Sequence, residues 1–179
     1  MAALPILLAT VSATPLPISI INLDRDTVRL SNTIKQLTSK GVPLETIERQ
    51  PAVHGASLSK ADLRSNTTRL GRLFASKGMI GCYLSHKVFW ERTLASDRDW
   101  SIVLEDDVVV EDAFADRVQA AISELEACAE ARGTWDVLLI GALGCVNPSG
   151  RHGLNRINAF VSGGGRNPRK LSEHIHVPR

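Results

Sequence analysis

Residues 100–112 read WSIVLEDDVVVED: the apolar run Ile102, Val103, Leu104 drives into Glu105, Asp106 and Asp107, then resumes as Val108, Val109 and Val110. An aliphatic, β-branched run of this kind belongs to a strand buried on both faces. Unpaired carboxylates are not left in such a place, because burying an isolated charge is prohibitively costly. The strand therefore ends at the acids, which puts them at its carboxyl edge, where open parallel sheets bind ligands. A cation is expected to meet them. Alternate residues of extended backbone share a face, so Glu105 and Asp107 point one way and Asp106 the other. Two such carboxylates plus substrate phosphates suit one hard divalent cation, Mn²⁺ or Mg²⁺. The plain alternative is a strand followed by a solvated acidic turn.

Earlier in the chain, residues 18–23 form a similar short apolar run that breaks into Asn22, Asp24, Arg25 and Asp26, and they are predicted as the first strand. Asp26 or Thr27 can cap a helix carrying Leu30, Ile34 and Leu37 at helical spacing, ended by Gly41 and Pro43. Strand then helix opens an α/β fold. Residues 46–53 are a weaker strand, closed by His54-Gly55, and the polar stretch 57–77 reads as loop and short helix. Residues 78–94, GMIGCYLSHKVFWERTL, predict a buried helix with the stripe Ile80, Leu84, Val88, widened by Tyr83, Trp90 and Leu94. Ser85 and His86 fall near its middle, and a helical histidine beside a core stripe is either a satisfied structural residue or a working one. Asp112 can cap a further helix with Phe114, Val118, Ile122 and Leu125, and residues 135–141, WDVLLIG, predict a third strand. Beyond these, the Gly- and Pro-rich end shows strand character only at 157–161, and residues 144–179 are expected to be loosely docked.

At 179 residues the chain suits one domain with a real core. With 22% charged residues and a net charge of +2, it lacks the basic footprint of a nucleic-acid binder. Cys82, Cys128 and Cys145 are odd in number and lack metal-type spacing, so they read as reduced, packed thiols. Residues 1–16 form an N-terminal extension. Its first part is apolar and ends in Val-Ser-Ala, but it lacks Lys or Arg and is interrupted by Pro5, which makes it a weak signal-like segment. No run approaches the roughly 20 apolar residues that cross a bilayer. The expected location is the cytoplasm or the cytoplasmic face of a membrane, or the secretory lumen if the N-terminus is a signal peptide.

Four blocks in order, IINLDRDTVRL, GMIGCYLSHKVFWE, WSIVLEDDVVVEDAF and WDVLLIG, resemble glycosyltransferase family 25, the lipooligosaccharide and procollagen galactosyltransferase family. The resemblance takes in 17–179 as one domain and is strongest over 17–141. It implies a GT-A type fold, a nucleotide-binding α/β sandwich with a central, mostly parallel sheet. It also implies inverting transfer of a hexose, commonly galactose from UDP-galactose, to a glycan, lipooligosaccharide or hydroxylysine-type acceptor. Carried over by position, Glu105 and Asp107 match the outer acids of the family's Mn²⁺ motif and Asp106 completes it. Asn22 and Arg25 match the polar end of the first strand, where the donor nucleotide is expected, and Ser85 with His86 match the helix lining that cleft. Related chains continue past the position of Arg179, so the sheet is expected to be incomplete at its C-terminus. The rival readings are a truncated, non-catalytic member that binds a nucleotide or a glycan-bearing partner, and an unrelated Mg²⁺ phosphohydrolase. The phosphohydrolase is disfavoured because no nucleophile motif or second acidic cluster accompanies the acids.

Overall fold

A computed structural model describes residues 15–128 and 135–141, and the backbone of 169–170 and 176–177. The chain divides into two compact units, residues 1–115 and 116–179. The first is an α/β unit built on a three-stranded parallel sheet. Its elements run β1 (Ile18–Asn22), α1 (Thr27–Ser39), β2 (Ile47–Pro51), α2 (Lys60–Asn66), α3 (Arg69–Phe74), α4 (Lys77–Leu94) and β3 (Ile102–Glu105).

The sheet order is β2-β1-β3. Ile18 aligns with Ile47 on one side and Ile102 on the other, and both pairings are parallel. Every residue of the central strand is buried, including the polar Ser19 and Asn22. Leu37 of α1, Ile80, Leu84 and Phe89 of α4, and Ile102 and Leu104 of β3 complete the core. Both α1 and α4 touch β1.

The first helix ends where its sequence dictates. Gly41 takes a left-handed φ of 84°, and its N–H donates to the Thr38 carbonyl at 3.2 Å while that of Val42 donates to the Leu37 carbonyl at 3.1 Å. Together these bonds satisfy two carbonyls of the last turn. The stretch 57–77 holds two short helices, each opened by a hydroxyl cap: Ser59 in a reciprocal capping box with Asp62, and Thr68 accepting from the Gly71 N–H.

Three expectations need correcting. The buried side of α4 is Ile80, Gly81, Leu84, Ser85 and Phe89, whereas Tyr83, Val88, Trp90 and Leu94 are exposed. Gly81 and Ser85 displace the bulky residues because backbone comes so close that a Cβ on Gly81 would lie 2.6 Å from the Val53 carbonyl oxygen. Residues 135–141 are not a strand: Val137, Leu139 and Ile140 are exposed and no ladder joins them to another described strand. An apolar run becomes a strand only where a sheet edge receives it. Cys82 is free but exposed rather than packed, while Cys128 is free and half-buried.

In the second unit, α5 (Phe114–Ala127) buries Val118, Ile122 and Leu125 at the spacing the sequence predicts. Leu125 packs with Cys128, Trp135 and Leu138, and the Trp135 indole donates to Glu126 at 3.1 Å. Two short strands, β4 (Arg169–Lys170) and β5 (His176–Val177), pair antiparallel. The expected strand at 157–161, the signal-like segment and Cys145 lie outside the described residues. Apart from β4 and β5, so does the end at 144–179 that is expected to be loosely docked. Among the described residues, no helix is long and apolar enough to cross a membrane.

Candidate functional site

The strand order decides where a site belongs. From β1 the chain passes to β2 on one side, and β3 then takes the other side, so the direction of winding reverses between β1 and β3. In an open parallel sheet the crevice outside the carboxyl ends at such a reversal is where ligands bind. Both polar ends singled out in the sequence lie there, since β1 ends at Asn22 and β3 at Glu105.

Strand geometry ends at Glu105, and Asp106 and Asp107 form a turn. Asp106 faces inward at 9% exposure. Its Oδ2 accepts from Asn22 Nδ2 at 2.6 Å, and its Oδ1 lies 2.9 Å from Arg29 Nη2. Asp107 is exposed, yet its Oδ2 meets the same Arg29 nitrogen at 2.5 Å. Arg29 is thus the cation that the acids demanded.

Arg29 belongs to a polar stripe on α1 that holds the whole turn. Thr33 Oγ1 donates to the Asp106 carbonyl at 2.9 Å. Gln36 donates to the Val108 carbonyl at 3.4 Å and accepts from the Val110 N–H at 3.1 Å. Lys40 reaches the Val110 carbonyl and pairs with Asp112 at 3.1 Å. Residues 29, 33, 36 and 40 follow helical spacing, so one side of α1 clamps 106–112 by its polar atoms.

Glu105 is held apart from its two neighbours. Its Oε1 lies 3.3 Å from His86 Nε2 and 3.6 Å from Cys82 Sγ, and His86 also stands 6.2 Å from the Trp90 ring, tilted by 42°. Although the residue as a whole is exposed, partial desolvation of its thiol is the main force raising the Cys82 pKa. The negative charge of Glu105, its hydrogen bond with the thiol, and the more distant Asp107 add to the rise.

The remaining expected residues divide between holding and facing. The buried Asn22 side chain is saturated: its amide also donates to the Asp26 carbonyl at 2.9 Å, and its oxygen accepts from Arg49 Nε at 3.0 Å. Ser85 is buried too; its Oγ donates to the Gly81 carbonyl and accepts from the Val53 N–H, both at 2.8 Å, while its own carbonyl accepts from Gln50 at 2.7 Å. Ser85 therefore ties α4 to the end of β2. Arg25 is exposed beside His54, with Nη1 3.1 Å from Nε2. The structure brings Asn22, Asp106 and Asp107 together through direct bonds and Arg29, and Glu105 together with His86, but leaves Ser85 and Arg25 outside both groups.

Sequence reasoning missed Arg29 and Cys82. Arg29 stands within the first block, four residues before Thr33, and helical spacing was the signal for it. Cys82 lies four residues before His86, a spacing that puts both on one side of a helix. A cavity of about 380 Å³, lined by Ser19, Glu48, Arg92 and Ser101 among others, lies toward the amino end of β3. Glu48 and Arg92 pair there at 3.2 Å.

Comparison with known proteins matches residues 16–136 to glycosyltransferase family 25 (LPS biosynthesis protein). A glycosyltransferase 25 family member of Aedes aegypti is 31% identical over 132 residues, covering 69% of this chain and 21% of its own. Procollagen galactosyltransferase 2 of Homo sapiens is 24% identical over 132 residues, covering 69% and 20%. The inactive glycosyltransferase 25 family member 3 of Homo sapiens is 35% identical over 66 residues, covering 37% and 11%. The chain therefore spans about a fifth of the length of the first two relatives. With the family profile aligned to more than half of the sequence, including β1, α4 and the acid-tipped β3, the chain belongs to glycosyltransferase family 25.

Proposed function

We propose that this chain forms the donor-binding part of a metal-dependent, inverting hexosyltransferase that takes UDP-galactose or a related UDP-sugar. The observation that carries the reading is the acid turn at the point where the sheet reverses its winding. A GT-A type arrangement accounts for a nucleotide crevice and an acidic cation site at one sheet edge. The exposed oxygens of Asp107, on the Arg29 side of the turn, and of Glu105, on its His86 side, are hard donors of the kind Mn²⁺ or Mg²⁺ prefers. Such a cation, when bound, stabilises the charge that develops on a departing diphosphate.

The chain's own residues do the holding. Asn22 and Arg29 fix Asp106, so the turn is rigid before any ligand arrives. Arg25, exposed at the end of β1, is available to a diphosphate, and His86 restrains Glu105. A lipooligosaccharide acceptor would place the activity at the cytoplasmic face of a membrane, and a hydroxylysine-type acceptor in the secretory lumen.

A second reading, nucleotide or glycan-partner binding without turnover, is favoured by the identity shared with the inactive human relative. One experiment separates the two. Thermal melts with Mn²⁺ and UDP, run beside a UDP-sugar hydrolysis assay, should show a stabilisation larger than Mn²⁺ alone gives, because ligand bound only to the native state raises stability by mass action. Asp107→Asn should remove that shift and leave the unliganded melt near wild type. Stabilisation without hydrolysis establishes the second reading. Melts unmoved by saturating Mn²⁺ with UDP rule out the transferase and the nucleotide-binding form of the second reading.

A further inference from the structure

Cys82 and His86 stand one helical turn apart on α4, and Glu105 closes the group from the end of β3; one ligand atom from each lies within 4.8 Å of the others. Two of the separations are 3.3 Å from nitrogen to oxygen and 3.6 Å from sulfur to oxygen. Tetrahedral Zn²⁺ with its usual bond lengths needs edges of about 3.3 Å between N and O and about 3.5 Å between S and O. Two of the three edges therefore already match those that such a cation requires, and the third, from sulfur to nitrogen, is within 4.8 Å.

We propose that Cys82 Sγ, His86 Nε2 and Glu105 form a site for a borderline-soft divalent cation of the Zn²⁺ class, with a fourth position open, and that this cation competes with the hard cation of the donor site for Glu105. The competition rests on the proposed function; the binding does not.

Chemistry separates this site from the acid pair. A thiolate and an imidazole select Zn²⁺ or Co²⁺, whereas Mn²⁺ and Mg²⁺ prefer carboxylate, phosphate and water. Binding exchanges the thiol proton for the metal, so one proton leaves to solvent as the sulfur–metal bond forms. The surrounding field favours that exchange, because the carboxylates of Glu105 and Asp107, which oppose a bare thiolate, attract a dication. The exposure of Cys82 and the half-burial of His86 leave an entry path from solvent.

The test is Co²⁺ titration of the full chain, without nucleotide, followed by optical absorption. A thiolate-to-cobalt charge-transfer band should appear at one equivalent and be bleached by Zn²⁺. It should persist in Cys128→Ser and Cys145→Ser, which report on the other thiols. Cys82→Ser should abolish the band, and His86→Ala should weaken binding by at least about tenfold. A missing band, or one that survives Cys82→Ser, overturns the site. In a second arm, one equivalent of Zn²⁺ should reduce the Mn²⁺–UDP melting shift in wild type but not in Cys82→Ser; equal suppression in both overturns the competition. If no Mn²⁺–UDP shift exists at all, the cobalt band still decides the site, so failure of the proposed function is told apart from failure of this inference.

Discussion

Asn22 Nδ2 donates to Asp106 Oδ2 at 2.6 Å, tying the carboxyl ends of two neighbouring parallel strands by their side chains. The same amide oxygen accepts from Arg49. Asn22→Ala thus strands a buried carboxylate oxygen and a guanidinium donor at once. The expected loss is about 2–3 kcal/mol, the range for leaving buried polar groups unsatisfied. Urea unfolding measures it, and a loss below about 0.5 kcal/mol, the level of an ordinary surface change, would show that water replaces the amide freely.

Arg29 supplies positive charge to Asp106 and Asp107 in the protein without metal. Because its side chain is 46% exposed, screening limits the pair to about 1 kcal/mol or less. Arg29→Met should therefore cost little in plain buffer but leave two carboxylates repelling each other. The stabilisation conferred by Mn²⁺ should then exceed that seen in wild type. Equal Mn²⁺ shifts in the two proteins would show that Arg29 and the metal do not share these acids.

Two glycines should fail in different ways when given a methyl group. Gly81→Ala drives a Cβ into the Val53 carbonyl and the Gly55 backbone, which cannot rotate aside, and should cost about 3 kcal/mol, the upper end for overpacking. Gly41→Ala meets open space and is penalised only by its left-handed φ, by about 1–2 kcal/mol. Paired denaturation curves should rank them in that order; the reverse ranking would refute the close crossing of α4 over the end of β2.

Alkylation of Cys82 should be slower than that of an unhindered thiol at neutral pH, because burial first and Glu105 second hold the thiol in its protonated form. Neutralising the neighbour in Glu105→Gln should speed the reaction severalfold and move its pH–rate curve toward lower pH. The folded state keeps this proton more tightly than the unfolded chain. The associated stabilisation is therefore present below the ordinary thiol pKa and fades as pH rises through the folded value. Rate profiles in a Cys128→Ser, Cys145→Ser background check the direction; no change in Glu105→Gln would remove Glu105 as a cause.

Strand β1 and the acid-tipped β3 were legible because each is a short, mostly apolar run broken abruptly by polar and charged residues, a pattern that fits the end of a strand. The helices opened by Thr27 and Phe114 were legible from spacing alone. The polar clamp was not. Arg29, Thr33, Gln36 and Lys40 look like any solvated helix side, since hydrophobic periodicity is blind to a surface that docks through hydrogen bonds. Residues 135–141 erred in the opposite sense: Val137, Leu138, Leu139 and Ile140 have strand chemistry, but pairing is a property of two segments and cannot be read from one. At α4, helical spacing places Tyr83 and Trp90 as a widening of the apolar stripe, while the fold uses the smallness of Gly81 and Ser85.

The position of β1 between β2 and β3 also sets an order of events during synthesis. Asn22 and Asp106 are 84 residues apart, whereas Ser19 and Glu48 across the β1–β2 edge are separated by 29. Closing the shorter loop costs less chain entropy, and ribosomes deliver the N-terminal partner first. A nascent chain can therefore zip β1 to β2 and cap them with α1 while β3 is still being translated. During that interval the second edge of the most buried strand is bare, and such edges recruit other chains. Arg29, Thr33 and Gln36 on α1, with Lys40 at its end, wait for a turn that has not yet been made, and the crevice comes into being only as β3 is laid down.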